Sequence, residues 1–187
     1  MKVLVIPEDP SLDQYILKPL AAQLFAELGI PARVEVLWNP RLRGVSQALD
    51  GAVISDIMAT YSMIDLFLLL VDRDGEEQRA EKVRAREEEH PGRLIACLAI
   101  EEIEVWMLAL HRDSLSRPWS SIRAARDPKE RFARPFLAER APRLDAGAGR
   151  KWAMRGVGAQ WKGIVEVCPE LGALRQRIED WRGRGRS

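Results

Sequence analysis

The stretch that decides the fold is Ile64-Asp65-Leu66-Phe67-Leu68-Leu69-Leu70-Val71-Asp72-Arg73-Asp74-Gly75-Glu76. An uninterrupted apolar run of this length suits a strand buried on both faces, as in a parallel sheet covered by helices. The run stops abruptly at Asp72, and in an open α/β sheet ligands bind past the carboxyl ends of the strands. Asp72, Asp74 and Glu76 stand two residues apart on a Gly-containing turn. Alternate residues of an extended segment point the same way, so Asp72 and Asp74 can share one hard cation while Arg73 points elsewhere. A solvated Asp-Gly turn leading into a helix near Asp74 or Gly75 fits the same letters. This stretch alone leaves both readings open.

Outward from this strand the chain alternates strand and helix. Met1–Ile6 reads as a short first strand, ended by the turn and cap chemistry of Pro7-Glu8-Asp9-Pro10-Ser11. Glu8 thus lies at the carboxyl end of one strand as Asp72 lies at the end of another. Ser11 or Asp13 can cap a helix to about Leu28, with Leu12, Ile16, Leu17, Leu20, Leu24 and Leu28 on one stripe and Gly29 placed to stop it. Pro19 inside that pattern predicts a start or a kink there. Ala32–Leu37 alternates as a second strand, ended by Trp38-Asn39-Pro40 and followed by a small basic loop with Arg41, Arg43 and Gly44. Residues 45 to about 59 read as one helix. Glu76–Glu89 reads as a charged surface helix broken by Pro91-Gly92, and Leu94–Ile100 as a further buried strand. The predicted class is therefore α/β, a mostly parallel, Rossmann-like sheet of about four strands flanked by helices.

The chain has 187 residues, enough for one domain with a substantial core, and 47% hydrophobic against 30% charged residues is ordinary for a soluble globular protein. Its net charge of +1 hides an asymmetry, because residues 1–111 sum to −8 and residues 112–187 to +9. Such a split hints at contact with nucleic acid or another polyanion, although attraction between the halves or a solubilising shell would also produce it. The division expected is an α/β core over residues 1–111 and a basic helical C-terminal region over 112–187, packed as a single unit. In that region Asp127-Pro128-Lys129 reads as a helix start with Asp127 as cap. A final helix, about Glu170–Trp181, is expected to fray into a basic tail from Arg182 to Ser187. Two cysteines, Cys97 and Cys168, suggest no disulfide framework. The opening residues are too short for a signal peptide and no segment is long enough to span a bilayer, so a cytoplasmic protein without membrane contact is expected.

Glu101, Glu102 and Glu104 follow the Leu94–Ile100 strand, where helix-dipole capping accounts for one or two of them. With Glu8, Asp72 and Asp74 they place carboxylates at successive strand ends, which predicts convergence at one edge of the sheet. Two bare carboxylates ~4 Å apart repel by about 4 kcal/mol at an effective dielectric of 20, so a cluster calls for Arg, Lys or a divalent ion. An oxygen-only donor set points to Mg²⁺ or Mn²⁺ rather than zinc, and His90 and His111 have no ligand spacing.

Together these residues resemble a known family. A strand ending in Glu8, a later one ending in Asp72-Arg73-Asp74-Gly75, and α/β alternation between them are similar to the Toprim fold of topoisomerases, bacterial primases and OLD-family nucleases. Leu70-Val71-Asp72-Arg73-Asp74-Gly75, Ile100-Glu101-Glu102-Ile103-Glu104-Val105-Trp106 and Asp127-Pro128-Lys129 resemble, more narrowly, a small prokaryotic Toprim-like family linked to ATPase partners and phage defence. One departure is Pro7 before Glu8, where many Toprim proteins carry a Gly-rich turn after the glutamate. The resemblance implies a Mg²⁺ site with Glu8 as ligand or general acid/base, Asp72 and Asp74 as ligands, and Glu101, then Glu104, as further acidic partners. Arg150, Lys151 and Arg155, beside Trp152, are candidates for holding a nucleic-acid backbone. The expected function is a Mg²⁺-dependent nuclease on DNA or RNA. The alternative is a catalytically silent Toprim-like module that binds nucleic acid or an ATPase partner.

Overall fold

In the computed structural model, which describes residues 1–184, the apolar run becomes strand β3 (Leu66–Asp72) of a four-stranded sheet. The others are β1 (Lys2–Ile6), β2 (Arg33–Val36) and β4 (Leu94–Ala99), in the order β2-β1-β3-β4. Every pairing is parallel, with Ile6 opposite Leu69 and Asp72 opposite Ala99. The protein is thus α/β, as the alternation predicts.

Alternating side chains of the strands feed two apolar layers. Leu66, Leu68 and Leu70 point into one with Val3 and Val5, while Phe67, Leu69 and Val71 point into the other with Leu4 and Ile6. The first layer is covered by α1 (Pro10–Glu27), α5 (Glu104–Ala109) and the C-terminal helices, including α9 (Val157–Val167) and α10 (Pro169–Arg184). The second is covered by α2 (Val45–Ala48), α3 (Gly51–Thr60) and α4 (Arg79–Glu89). One buried cluster runs from Val3 to Ile178, so the basic C-terminal region shares its core with the sheet. Arg177 and Glu87 reinforce that union: Arg177 donates to the Ala96 carbonyl at 2.6 Å and Glu87 accepts from the Ala96 N–H at 3.1 Å. This pair satisfies the backbone of Ala96 on the outer edge of β4, where unpaired groups would otherwise invite another strand.

The helix after β1 lies on one face of the sheet and the helix after β3 on the other. Chains of this kind have a crevice where neighbouring strands send their connections to opposite faces, here between β1 and β3. Glu8 and Asp72 flank it.

Several boundaries differ from the sequence expectation. Asp9, not Ser11 or Asp13, caps α1, accepting from Ser11 N–H at 2.9 Å, and the helix runs through Pro19 without a break in its assignment. Gly29 does end it, at φ 61°, with Ile30 N–H bonded to Phe25 O and Gly29 N–H to Ala26 O. The single helix expected over 45–59 is two, because Asp50 turns its carboxylate onto the N–H groups of Ala52 and Val53 and starts α3 afresh. The charged helix begins at Arg79 rather than Glu76. Asp127 gives a backbone carbonyl to Arg131 N–H but no side-chain cap, and the following turn, Lys129–Ala133, is a π-helix. Residues 182–184 of the expected tail belong to α10, and residues 185–187 lie outside the described part. Among the described residues no helix is long and apolar enough to cross a membrane.

Candidate functional site

Carboxylates and cations drawn from several elements meet at the carboxyl edge of the sheet. Glu8 leaves β1 and accepts the N–H of Asp72 at 2.9 Å through Oε1, which ties the ends of β1 and β3 together. Asp72 in turn accepts the N–H of Ile103 at 2.7 Å through Oδ1. Among the described residues no protein donor claims Oε2 of Glu8 or Oδ2 of Asp72. Arg79, buried at the start of α4, donates to the Asp72 carbonyl at 2.6 Å and to Asp74 Oδ2 at 2.7 Å, and its Nη1 lies 3.9 Å from Glu8 Oε1. The structure therefore brings Glu8, Asp72 and Asp74 together, with Arg79 as their counter-charge.

Glu101 and Glu104 are drawn elsewhere. Glu101 sits at φ 61°, a left-handed conformation that turns the residue back toward the end of β3. Its carbonyl accepts from Arg73 and Asp74 N–H, its Oε2 from Gly75 N–H at 2.7 Å, and its Oε1 pairs with the Arg73 guanidinium. Burial pushes its carboxyl up, but Arg73 and the Gly75 N–H outweigh that and hold it below the usual carboxylate range. It is a clasp on the Asp72–Gly75 turn. Glu104, 1% exposed, bonds Arg150 at 2.6 Å and lies 3.5 Å from Lys129 Nζ. Glu102 accepts the Lys129 N–H at 2.6 Å and helps hold the π-helix against the site.

Two members could not be read from spacing. Asp13, buried on α1, accepts the Asp9 N–H at 3.3 Å and feels the charge of Glu104. Lys129 reaches in from the C-terminal region, where burial works against its charge but Glu104, Asp13 and Asp72 outweigh that and raise its pKa. Lys129 belongs to the Asp127-Pro128-Lys129 helix start, two residues beyond the expected cap.

Burial raises the Glu8 carboxyl to about 7; the Asp72 N–H opposes this and Asp74 adds to it. Asp13 is likewise pushed to about 7 by burial and then by Glu104. Asp72 is held well above its ordinary value by burial, followed by the charges of Glu8 and Glu104. Such a cluster binds protons near neutral pH and would exchange them for a cation.

Among the described residues no three His, Cys, Asp or Glu side chains form a group that could hold a metal ion. Mg²⁺ does not require such a cage, since it keeps several waters and commonly uses one or two carboxylates plus substrate phosphates. The free oxygens of Glu8 and Asp72 suit that mode, and Asp74 suits it once Arg79 lets go. Glu101 and Glu104 are each paired with an arginine, as Asp74 is with Arg79.

Of the cations expected to hold nucleic acid, Lys151 and Arg155 are exposed, but Arg150 is only 3% exposed and serves Glu104. Trp106 is fully buried, with its N–H on Glu170 at 2.9 Å. His90 faces Ser55, and His111 contacts the Ala153 carbonyl and stacks on Trp152, so neither histidine takes part in the site. Cys97 and Cys168 are buried free thiols. Comparisons with protein-family models, with curated proteins and with solved structures find no match.

Proposed function

We propose that this chain is a Mg²⁺- or Mn²⁺-dependent, Toprim-like nuclease acting on phosphodiester bonds of DNA or RNA. The observation that supports it most is the joining of Glu8 and Asp72 at the crevice between β1 and β3, each with one oxygen unclaimed among the described residues. A divalent ion bound there would supply charge neutralisation at the phosphate and a more acidic water. Asp72, fixed by Ile103 N–H, presents Oδ2 as a rigid ligand. Glu8, with its carboxyl raised to about 7, can take a proton at Oε2 and return it near neutral pH, as a general acid/base must. Arg79 and Lys129 are nearby cations that limit repulsion before substrate arrives. Lys151 and Arg155 are assigned to the substrate backbone, where contacts position without reading sequence. A role in phage defence and an ATPase partner follow from the family resemblance alone.

A second reading is a catalytically silent module that binds nucleic acid or an ATPase subunit. It is favoured by the grip of Arg79 on Asp74 and on the Asp72 carbonyl, which occupies part of the ligand set. The two separate on Glu8→Gln and Asp72→Asn, assayed on labelled single- and double-stranded DNA and on RNA with Mg²⁺ or Mn²⁺. A nuclease loses about 100-fold or more in rate in either folded variant, the scale of a lost general base or metal ligand. Binding without cleavage, unchanged by Glu8→Gln, supports the silent module instead.

A further inference from the structure

We infer that the loop after β2 is a platform for single-stranded nucleic acid, on which Trp38 stacks a base while Arg41 and Arg43 hold the adjoining phosphates. The inference rests on the nucleic-acid reading above and names how the substrate is seated beside that site.

Trp38 is the starting point. Among the described residues it is the only exposed tryptophan of the chain's six, at 55%, and it belongs to neither apolar cluster. Its exposed indole offers a flat apolar face on which a base can stack. Its neighbours are cationic. The Arg41 guanidinium lies 6.0 Å from the ring centroid, and Arg43 is exposed and makes no ion pair among the described residues. An aromatic face interleaved with arginines is the composition that single-strand grooves use, because every base has a π-face and every nucleotide a phosphate.

The loop is held in place rather than trailing. Leu42, 3% exposed, anchors its middle in the core, and the Tyr61 hydroxyl donates to the Asn39 carbonyl. Arg43 N–H donates to Gln47 Oε1 at 2.8 Å. It is also fastened to the candidate site itself. Gly44 N–H donates to the Glu8 carbonyl at 3.1 Å, and Arg41 donates to Ser11 Oγ and lies 3.6 Å from Asp9, the residue after Glu8. A strand stacked on Trp38 and tracked by the two arginines therefore arrives next to the carboxylates at the ends of β1 and β3. Binding of this kind is sequence-tolerant and strongly salt-dependent.

The test is fluorescence anisotropy with fluorescein-labelled 12-nucleotide single-stranded DNA and RNA, in EDTA so that binding is read without cleavage. Trp38→Ala is expected to weaken binding by roughly 5- to 150-fold and Trp38→Phe by much less, the range of one lost base stack. Arg41→Gln/Arg43→Gln should lower the slope of log K against log salt by about 1.4, two single-strand phosphate contacts. Circular dichroism and thermal melting confirm that each surface variant is folded. Wild-type binding that Trp38→Ala leaves unchanged overturns the platform and spares the nuclease reading. A folded wild type that binds neither probe at 50 mM salt also overturns the platform, while the nuclease reading stands or falls on cleavage by the Glu8 and Asp72 variants.

Discussion

The Arg150–Glu104 pair offers a sharp test of how the site is supported. Both side chains are sealed, at 3% and 1% exposure, and the bond between them is 2.6 Å long. Replacing Arg150 with methionine keeps the apolar stem and deletes the charge, leaving Glu104 buried with Lys129, 3.5 Å away, as its one cation among the described residues. Removing one partner of a buried pair costs about 3–5 kcal/mol, because the survivor is left uncompensated. Lys129 offsets part of that, so about 3 kcal/mol is expected. With an m-value of about 2 kcal/mol/M, the urea midpoint of Arg150→Met should fall by about 1.5 M. The double change Glu104→Gln/Arg150→Met should recover at least half of the loss, since the sealed carboxylate is gone and Lys129 keeps Asp13 and Asp72 as counter-charges. A shift under about 0.3 M in the single variant would refute the claim that Arg150 is a structural counter-charge.

Other consequences are as direct. Glu8 and Asp13, both raised to about 7 by burial first, bind protons more tightly folded than unfolded. The stability this confers is complete below pH ~4 and is lost as pH rises through 7, so metal-free protein should melt roughly 5 °C lower at pH 8 than at pH 5.5; a flat or rising melting curve would contradict it. Glu101→Gln should weaken the Arg73 and Gly75 contacts and lower stability by about 1–2 kcal/mol while leaving calorimetric Mg²⁺ affinity within about threefold; a loss of metal binding would make it a ligand after all. Gly147→Ala should destabilise by about 2 kcal/mol or more, since at φ 67° its new Cβ would stand 2.3 Å from the Tyr15 ring. Gly29→Ala, with open space around it at φ 61°, should cost only about 1 kcal/mol.

The parts of the fold readable in the sequence are those written in one segment. The unbroken runs of β3 and β4 announce doubly covered strands, and Glu8 and Asp72 follow them directly, so both strand ends and their convergence were legible. What came from tertiary packing was not. Asp13 looked like a cap because a helix start favours acids, yet Asp9 does the capping and Asp13 turns inward. Glu101 and Glu104 stand at the right distance along the chain from β4. The left-handed backbone at Glu101 and an arginine 46 residues beyond Glu104 decide where each carboxylate goes. Arg150 looked like a surface cation among basic neighbours for the same reason: its partner is remote in sequence. The break between α2 and α3 was legible in principle, since Leu49-Asp50-Gly51 carries a cap residue inside an apolar period.

The central claim is that Glu8 and Asp72 form a cation site at the crevice between β1 and β3. Calorimetric titration of Mg²⁺ and Mn²⁺ at pH 6.5, in two buffers of different ionisation enthalpy, measures binding and proton release together. Binding with release of roughly one proton is expected, because Glu8 is about half protonated or more at that pH and Asp72 is raised as well. Both signals should vanish in folded Glu8→Gln/Asp72→Asn. Binding that survives in the double variant, or a folded wild type that binds neither ion with or without a phosphodiester oligonucleotide, would contradict it.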